Sequence, residues 1–196
     1  MRRCQEGSRV GRVTVVARQI SDHGTPDRFI AGTIGLPGER TFYLQSRSGM
    51  QTMTVVLEKE QVALLAEKLL ELLDEVSRVD PAEQAGSDVE VDLDPLELPV
   101  IEAFRVGAFG LGWDTGSHHV VLEIHAVSED ADVPDIGDDD ASGPDTLRVW
   151  LGAGAARAFA RRAQSLVAAG RPPCPFCHLP LDPGGHICPR ANGYRR

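Results

Sequence analysis

Four side chains near the C-terminus have the types and spacing to hold a metal ion: Cys174, Cys177, His186 and Cys188. In Cys174-Pro-Phe-Cys177 the two-residue gap lets a pair of thiolates converge while the intervening amides point at the sulfurs. Eight residues later, His186-Ile-Cys188 supplies the other two corners of a tetrahedron, the donor set of a closed structural zinc site. The connecting Leu179-Pro-Leu-Asp-Pro-Gly-Gly185 carries the residues that reverse a chain tightly. So short a segment does not order itself by apolar burial; zinc binding, about 10 kcal/mol or more in small peptide sites, supplies the ordering free energy. Phe176, Leu179, Leu181 and Ile187 are then the side chains to dock the knuckle or cover the metal. His178 is the alternative fourth ligand. Two other chemistries fit parts of the pattern: a Cys-x-x-Cys redox pair, which wants a strand before it and a helix after it, and a catalytic zinc with one position open.

A second set of chemically capable residues lies on alternating strands. In His119-Val-Val-Leu-Glu-Ile-His125 the apolar Val120, Leu122 and Ile124 point one way, and His119, Glu123 and His125 the other. The matching positions of an earlier strand are Thr41, Tyr43, Gln45 and Arg47. His and Glu two apart on one strand face sit about 6–7 Å apart at Cα, within range of a proton relay or weak metal binding. A hydrolase or transferase built on His119, Glu123 and His125 is therefore one alternative; an open sheet face with no chemistry looks the same. No Ser-His-Asp order, HExxH, Walker or kinase-like motif accompanies these residues. Trp113, in Gly112-Trp-Asp-Thr-Gly116, is an aromatic in a turn with the character of a partner anchor. The terminal Arg190, Asn192, Tyr194, Arg195 and Arg196 carry a further alternative, nucleic-acid contact through phosphate.

The elements that position these residues repeat. Phe29-Ile-Ala-Gly-Thr-Ile-Gly-Leu36 and Phe104-Arg-Val-Gly-Ala-Phe-Gly-Leu111 share Phe-x-x-Gly-x-x-Gly-Leu. Each is followed by a turn-rich stretch, an alternating strand (41–47 or 119–125), and an apolar strand (52–57 or 147–151) that leads into a helix (59–78 or 153–169). The first helix has a broad stripe of Val62, Leu65, Ala66, Leu69, Leu70, Leu72, Leu73 and Val76; the second has a slimmer, Ala-rich one. The pattern predicts an α+β fold. Its duplicated β-β-β-α halves form a mostly antiparallel sheet with two helices on one face, and a C-terminal zinc knuckle follows. The body is expected over 1–170, with halves at about 10–79 and 99–170, a possible extra strand at Val10–Arg18, and the knuckle at 171–196. The glycines lie inside or between strands, not between a strand and a helix N-terminus, so they read as bulges or close packing between the halves and not as a phosphate loop.

The formal charge of −9 is uneven. Residues 80–98 hold seven acids and no base, and residues 129–145 hold eight acids and no base. Both are rich in Asp, Gly and Pro, and are expected to be solvated, nearly disordered linkers; 135–145 lacks the ligand spacing and closing Glu of a calcium loop. The rest of the chain is mildly basic, so the overall acidity says little about partners. No run of 18 apolar residues and no signal-like apolar region occurs, which excludes a membrane helix and points to a cytoplasmic protein. Three of four cysteines crowd together, as metal ligands in a reducing compartment do; Cys4 has no evident role.

The tail pattern Cys-Pro-x-Cys-x-x-Pro-Leu-Asp-Pro-x-Gly-His-x-Cys-Pro-Arg-x-Asn-Gly, here Cys174–Gly193, resembles an uncharacterised family of actinobacterial cytoplasmic proteins of about this length. The paired glycine motifs and Val56-Leu-Glu-Lys-Glu-Gln61 extend that resemblance to nearly the whole chain. It implies an accessory role beside phosphoryl-transfer proteins and assigns no catalytic residue. Taken together, the residues lead to a zinc-containing, non-enzymatic binding or adaptor protein with a protein partner.

Overall fold

The computed structural model describes residues 17–79, 89–128, 133–140, 142–170, 174–177, 181, 188 and 190. Alternating and apolar stretches form seven strands: β1 Ile20–Asp22, β2 Arg28–Ile34, β3 Thr41–Ser48, β4 Gln51–Leu57, β5 Glu102–Asp114, β6 His119–Ala126 and β7 Thr146–Gly152. The two periodic stretches form α1, Lys59–Val79, and α2, Ala153–Ala168. The strands make one mixed sheet in the order β1-β7-β6-β5-β4-β3-β2. Pairing is antiparallel within β2-β3-β4 and within β5-β6-β7, and parallel where β4 meets β5 and where β1 meets β7. β1, on the outer edge of β7, lies beyond the expected Val10–Arg18 strand, whose described residues 17 and 18 are not in a strand and whose residues 10–16 lie outside the described residues.

Both helices cover one face. Val62, Leu65, Ala66, Leu69 and Leu73 of α1, with Ala156, Phe159, Ala160 and Ala163 of α2, share a core with Phe42, Leu44, Val55, Val120, Leu122, Ile124, Leu147 and Val149 of the sheet. The Ala content of α2 has a packing reason, since its burial extends well round the helix, from Gly154 to Ala163, and small side chains let it lie close to α1 and the sheet. Phe29 stacks on Phe159 with ring centroids 4.7 Å apart. No helix among the described residues is long and apolar enough to cross a membrane.

The expectation of loose acidic linkers does not hold for their described parts. Residues 89–101 cross the other sheet face over β2-β3-β4, where Leu96 packs with Ile30, Tyr43, Val56 and Val100. Residues 133–140 cross the same face over β5-β6-β7. These two acidic segments are straps, held where Asp92, Glu97 and Asp139 pair with arginines and where Arg18 and Arg162 bond their backbone carbonyls. The remaining residues, 80–88, 129–132 and 141, lie outside the described set.

The four motif glycines do three different things. Gly32 makes room for Leu96, whose Cγ lies 2.5 Å from where a Cβ would stand. Gly35 takes φ +106° in the turn after β2. Gly107 sits at the register shift between Val106 and Ala108, with the Val127 backbone 2.9 Å from a would-be Cβ. Gly110 lies under Ile136, its Cγ1 3.1 Å from a would-be Cβ. A bulge is therefore found at Gly107, while the closest packing at Gly32 and Gly110 is against the straps and not between the halves.

Candidate metal centre and buried polar face

The turn over residues 174–177 folds Cys177 back toward Cys174, and Cys188 lies beside both. One ligand atom from each of the three cysteines lies within 4.8 Å of the others. Cys174 Sγ and Cys188 Sγ are 3.8 Å apart, well beyond the about 2.05 Å of a disulfide, and all three are free thiols. Burial opposes ionisation of Cys174, but hydrogen bonds from the amides of Cys177 and Phe176 and from the neighbouring thiols outweigh it, so its pKa falls below the usual thiol value. Cys174 and Cys188 are buried, whereas Phe176 is 61% exposed. Phe176 therefore does not cover the cluster, contrary to expectation, and Arg190 Nη1 instead donates to its carbonyl at 3.2 Å. His186, the expected fourth ligand, its alternative His178, and Cys4, Leu179, Ile187 and Arg195–Arg196 lie outside the described residues.

Three converging sulfurs fit a soft or borderline divalent ion, and their chemistry excludes calcium and magnesium, which take oxygen. The donor set and the amide hydrogen bonds to Cys174 match a metal bound to thiolates, which must shed their protons to bind.

The expected open polar face is not open. Glu123 and His125 are both 0% exposed, and Gln45 and Tyr43 are also buried, because the straps lie over them. Only Arg47, Thr41 and His119 keep partial exposure. His119 does not join Glu123 and His125; it sits at the start of β6 opposite Asp114, with Nδ1 2.6 Å from the Ser117 carbonyl. Trp113 closes β5 and packs against the helix-side core, so it is half-buried and not a turn aromatic standing clear.

Cross-strand register explains which groups meet. On the strap side, Gly110, Glu123 and Arg148 form one row across β5-β6-β7, and Ala108, His125 and Thr146 form the next. Arg148 Nε donates to Glu123 Oε1 at 2.6 Å and Nη2 to Asp139 at 2.8 Å, while the Gly137 amide of the strap donates to Glu123 Oε1 at 3.0 Å. Burial works against the Arg148 charge, but hydrogen bonds to Asp139 and Glu123 more than offset it and raise its pKa. Arg18 donates to Thr146 Oγ1 through Nε and Nη2 and to the Asp138 carbonyl through Nη1 at 2.9 Å. The Thr146 hydroxyl donates to the Pro144 carbonyl at 3.0 Å, so His125 Nδ1, 2.9 Å from that oxygen, is the donor to it. In the neutral ring Nε2 is then bare. It faces Glu123 Oε2 across 3.7 Å, and neither atom has a hydrogen-bond partner. Burial lowers the His125 pKa, Glu123 pulls it up, and Arg18 and Arg148 push it down.

Arg148, Arg18 and Asp139, which organise this network, escaped the sequence reading. Arg148 sits in an apolar strand, and a lone Arg between Leu147 and Val149 was its only signal.

Over the first half the strap is held differently. Arg28 Nε and Nη2 clasp the Asp92 carboxylate at 2.6 and 3.0 Å, and Arg162 bonds the Ala31, Asp92 and Asp94 carbonyls. The Gln45 amide bonds the Glu97 backbone through both its oxygen and its nitrogen, and reaches Thr54 Oγ1 at 3.0 Å.

Fold and site together define a mixed α/β protein: a seven-stranded sheet, two helices and a C-terminal cluster of three cysteines able to hold a metal ion. The chain belongs to the family described as "Protein of unknown function (DUF3090)", whose model matches residues 22–188. No curated protein and no solved structure matches it.

Proposed function

We propose that the protein is a zinc-containing, non-enzymatic binding protein whose C-terminal knuckle is clipped by Cys174, Cys177, Cys188 and His186. The convergence of three thiols within 4.8 Å carries this reading. Their Cys-x-x-Cys spacing, the reduced state and the amide hydrogen bonds to Cys174 support zinc in a closed, structural role. When bound, the ion would supply cross-linking and charge neutralisation, and the chain's part is to present thiolates and hold them by its amides. The burial of Glu123 and His125 beneath a strap, with His119 elsewhere, supports a structural use of that polar face over a hydrolytic one. The similar strand-strand-strand-helix order of the two halves supports descent from a duplicated unit.

Protein purified without chelator is expected to carry about one zinc per chain by elemental analysis, the stoichiometry of a single four-ligand site. Cys177→Ser is expected to lose it and Cys4→Ser to keep it. His186→Ala and His178→Ala then decide the fourth ligand, because only the true ligand weakens retention against a competing chelator. Wild-type protein with no metal and three chelator-insensitive thiols would overturn the assignment.

A further inference from the structure

The sheet has an edge that no strand among the described residues covers. β4 stops at Leu57 and pairs with β5 only through Thr54↔Glu102 and Val56↔Arg105. From Ala108 to Asp114, β5 is paired with β6 on one side and, among the described residues, with no strand on the other. Burial agrees: residues 108–114 are half-exposed throughout, whereas residues 120–125 of β6 are all buried. The other edges are blunted. β1 has three residues, and the Ala31 carbonyl of β2 is taken by Arg162. The open stretch, Ala108-Phe-Gly-Leu-Gly-Trp113, contains neither a charge nor a proline, the usual protections against pairing.

α1 runs alongside this edge. Gln61 Nε2 takes the Val106 carbonyl at 3.0 Å, which closes one end. Beyond it Gln61, Leu64, Leu65 and Lys68 face Gly107–Leu111 across a cavity of about 260 Å³. Leu72, Glu75, Val76 and Val79 then face Trp113 and Thr115 across another of about 330 Å³. These helix positions follow one another at helical spacing, and the lengths agree. Eighteen helical steps from Gln61 to Val79 span about 27 Å, and eight strand steps from Gly107 to Thr115 span about 26 Å. Leu64 and Val79, both on this groove, are 50% and 85% exposed.

We propose that this groove binds an extended segment of a partner protein, which adds to β5 as a strand and lays alternate apolar side chains along α1. The occupant follows from the wall chemistry. An unpaired strand edge offers amides and carbonyls that another extended backbone satisfies, and the adjoining helix offers an apolar trough. The Trp113 end is lined by Glu75 and His118, and Glu75 is its acidic group, so the segment carries a basic residue beside Glu75. A folded second copy fits less well, because its own α1 would meet this one along the same edge. The inference rests on the reading of the chain as a binding protein and is independent of zinc.

The test uses the full zinc-loaded chain and a library of peptides of about nine residues, alternating Val or Ile with Thr and ending in Lys, read by titration calorimetry and by tryptophan fluorescence, with Trp150→Phe isolating the Trp113 signal. Members are expected to bind in the micromolar to millimolar range. N-methylation of alternate amides, which removes strand pairing and leaves the side chains, is expected to weaken the best member at least about tenfold. Leu64→Glu and Val76→Glu are expected to do the same with melting temperature and metal content unchanged. The proposal is overturned if no member binds by millimolar concentration, if N-methylated peptides bind equally, or if the wild-type chain is a dimer that Leu64→Glu converts to monomer, since the occupant is then a second copy. Zinc content of every sample separates this failure from failure of the metal reading: a metal-free chain that still binds peptide loses the knuckle and keeps the groove.

Discussion

Over β2-β3-β4 the strap is gripped from its margins: Arg28 and Arg162 hold Asp92 and nearby carbonyls, and the centre is filled by Leu96 lying on Gly32. Over β5-β6-β7 the arrangement is reversed. The apolar contact, Ile136 over Gly110, is partly exposed, and the centre holds Glu123, His125 and Arg148. Both segments are acidic and both run across the same face, yet one is an apolar lid with ionic clasps and the other an ionic core with an apolar rim. Loss of a partner should therefore cost most in the second half when the partner is charged, and most in the first half when it is a hydrocarbon.

The largest difference is expected for the carboxylates. Glu123→Ala takes the fully buried partner from Arg148 and leaves it only the more exposed Asp139 and Asp22, and the expected loss is about 3 kcal/mol, the low end for breaking a buried pair. Asp92→Ala removes a carboxylate that is itself 36% exposed, and because solvent screens such a pair the loss is about 1 kcal/mol or less from the ion pair. Urea denaturation of the two variants measures both. Equal losses would mean that the strap over the second half is as solvated as the other.

The hydrocarbons come next, with the order reversed. Leu96→Ala empties a buried position and is expected to cost about 2–3 kcal/mol, whereas Ile136→Ala, at a 43% exposed residue, costs about 1 kcal/mol or less. Gly32→Ala drives a methyl into Leu96 and is expected to destabilise by about 1–3 kcal/mol. Combining it with Leu96→Ala should recover part of that loss, and two independent losses that simply add would show that the two residues do not touch.

The same contrast explains what the sequence could disclose. Strands β2 to β7 and both helices were legible because their apolar periods, 2.0 and 3.6, are properties of the local chain, and the helix ends follow from the strand ends. The three cysteines were legible for a similar reason, since their spacing is local and their chemistry narrow. The straps were not. Asp, Gly and Pro density argues for solvation, and only the distant Arg28, Arg162, Arg148 and Arg18 turn those acids into anchors. The alternation in 119–125 correctly placed Glu123 and His125 on one face with Tyr43 and Gln45. It could not say that residues 133–140 return from further along the chain to cover that face. The repeated glycine motif misled in part, because its four glycines serve a strap, a turn, a bulge and a second strap.

The smallest effect is the one that orders the two straps along a pH axis. Burial holds His125 below its usual imidazole range, against the attraction of Glu123; His23, which follows β1 and has Nδ1 2.8 Å from Ser46 Oγ of β3, is lowered by burial as well, against Asp22, and adds to the same window without touching the strap. A neutral buried imidazole takes up its proton later than the unfolded chain does. As pH falls through the unfolded value near 6.5, the unfolded state binds more protons and stability declines. For Asp92 the hydrogen bond from Arg28 is the main cause of a lowered carboxyl pKa, so its stabilisation is complete above the unfolded value near 3.8 and is lost as pH falls below it. Both straps therefore loosen in acid, but in separate windows: the imidazole range for the strap over the second half, the carboxylate range for the strap over the first. Urea midpoints measured from about pH 8 down to about pH 3 should fall in two stages. His125→Gln should flatten the first stage, His23→Gln should flatten it further, and Asp92→Asn should flatten only the second. A first stage that survives His125→Gln unchanged would mean that this buried imidazole is not what ties the strap to pH.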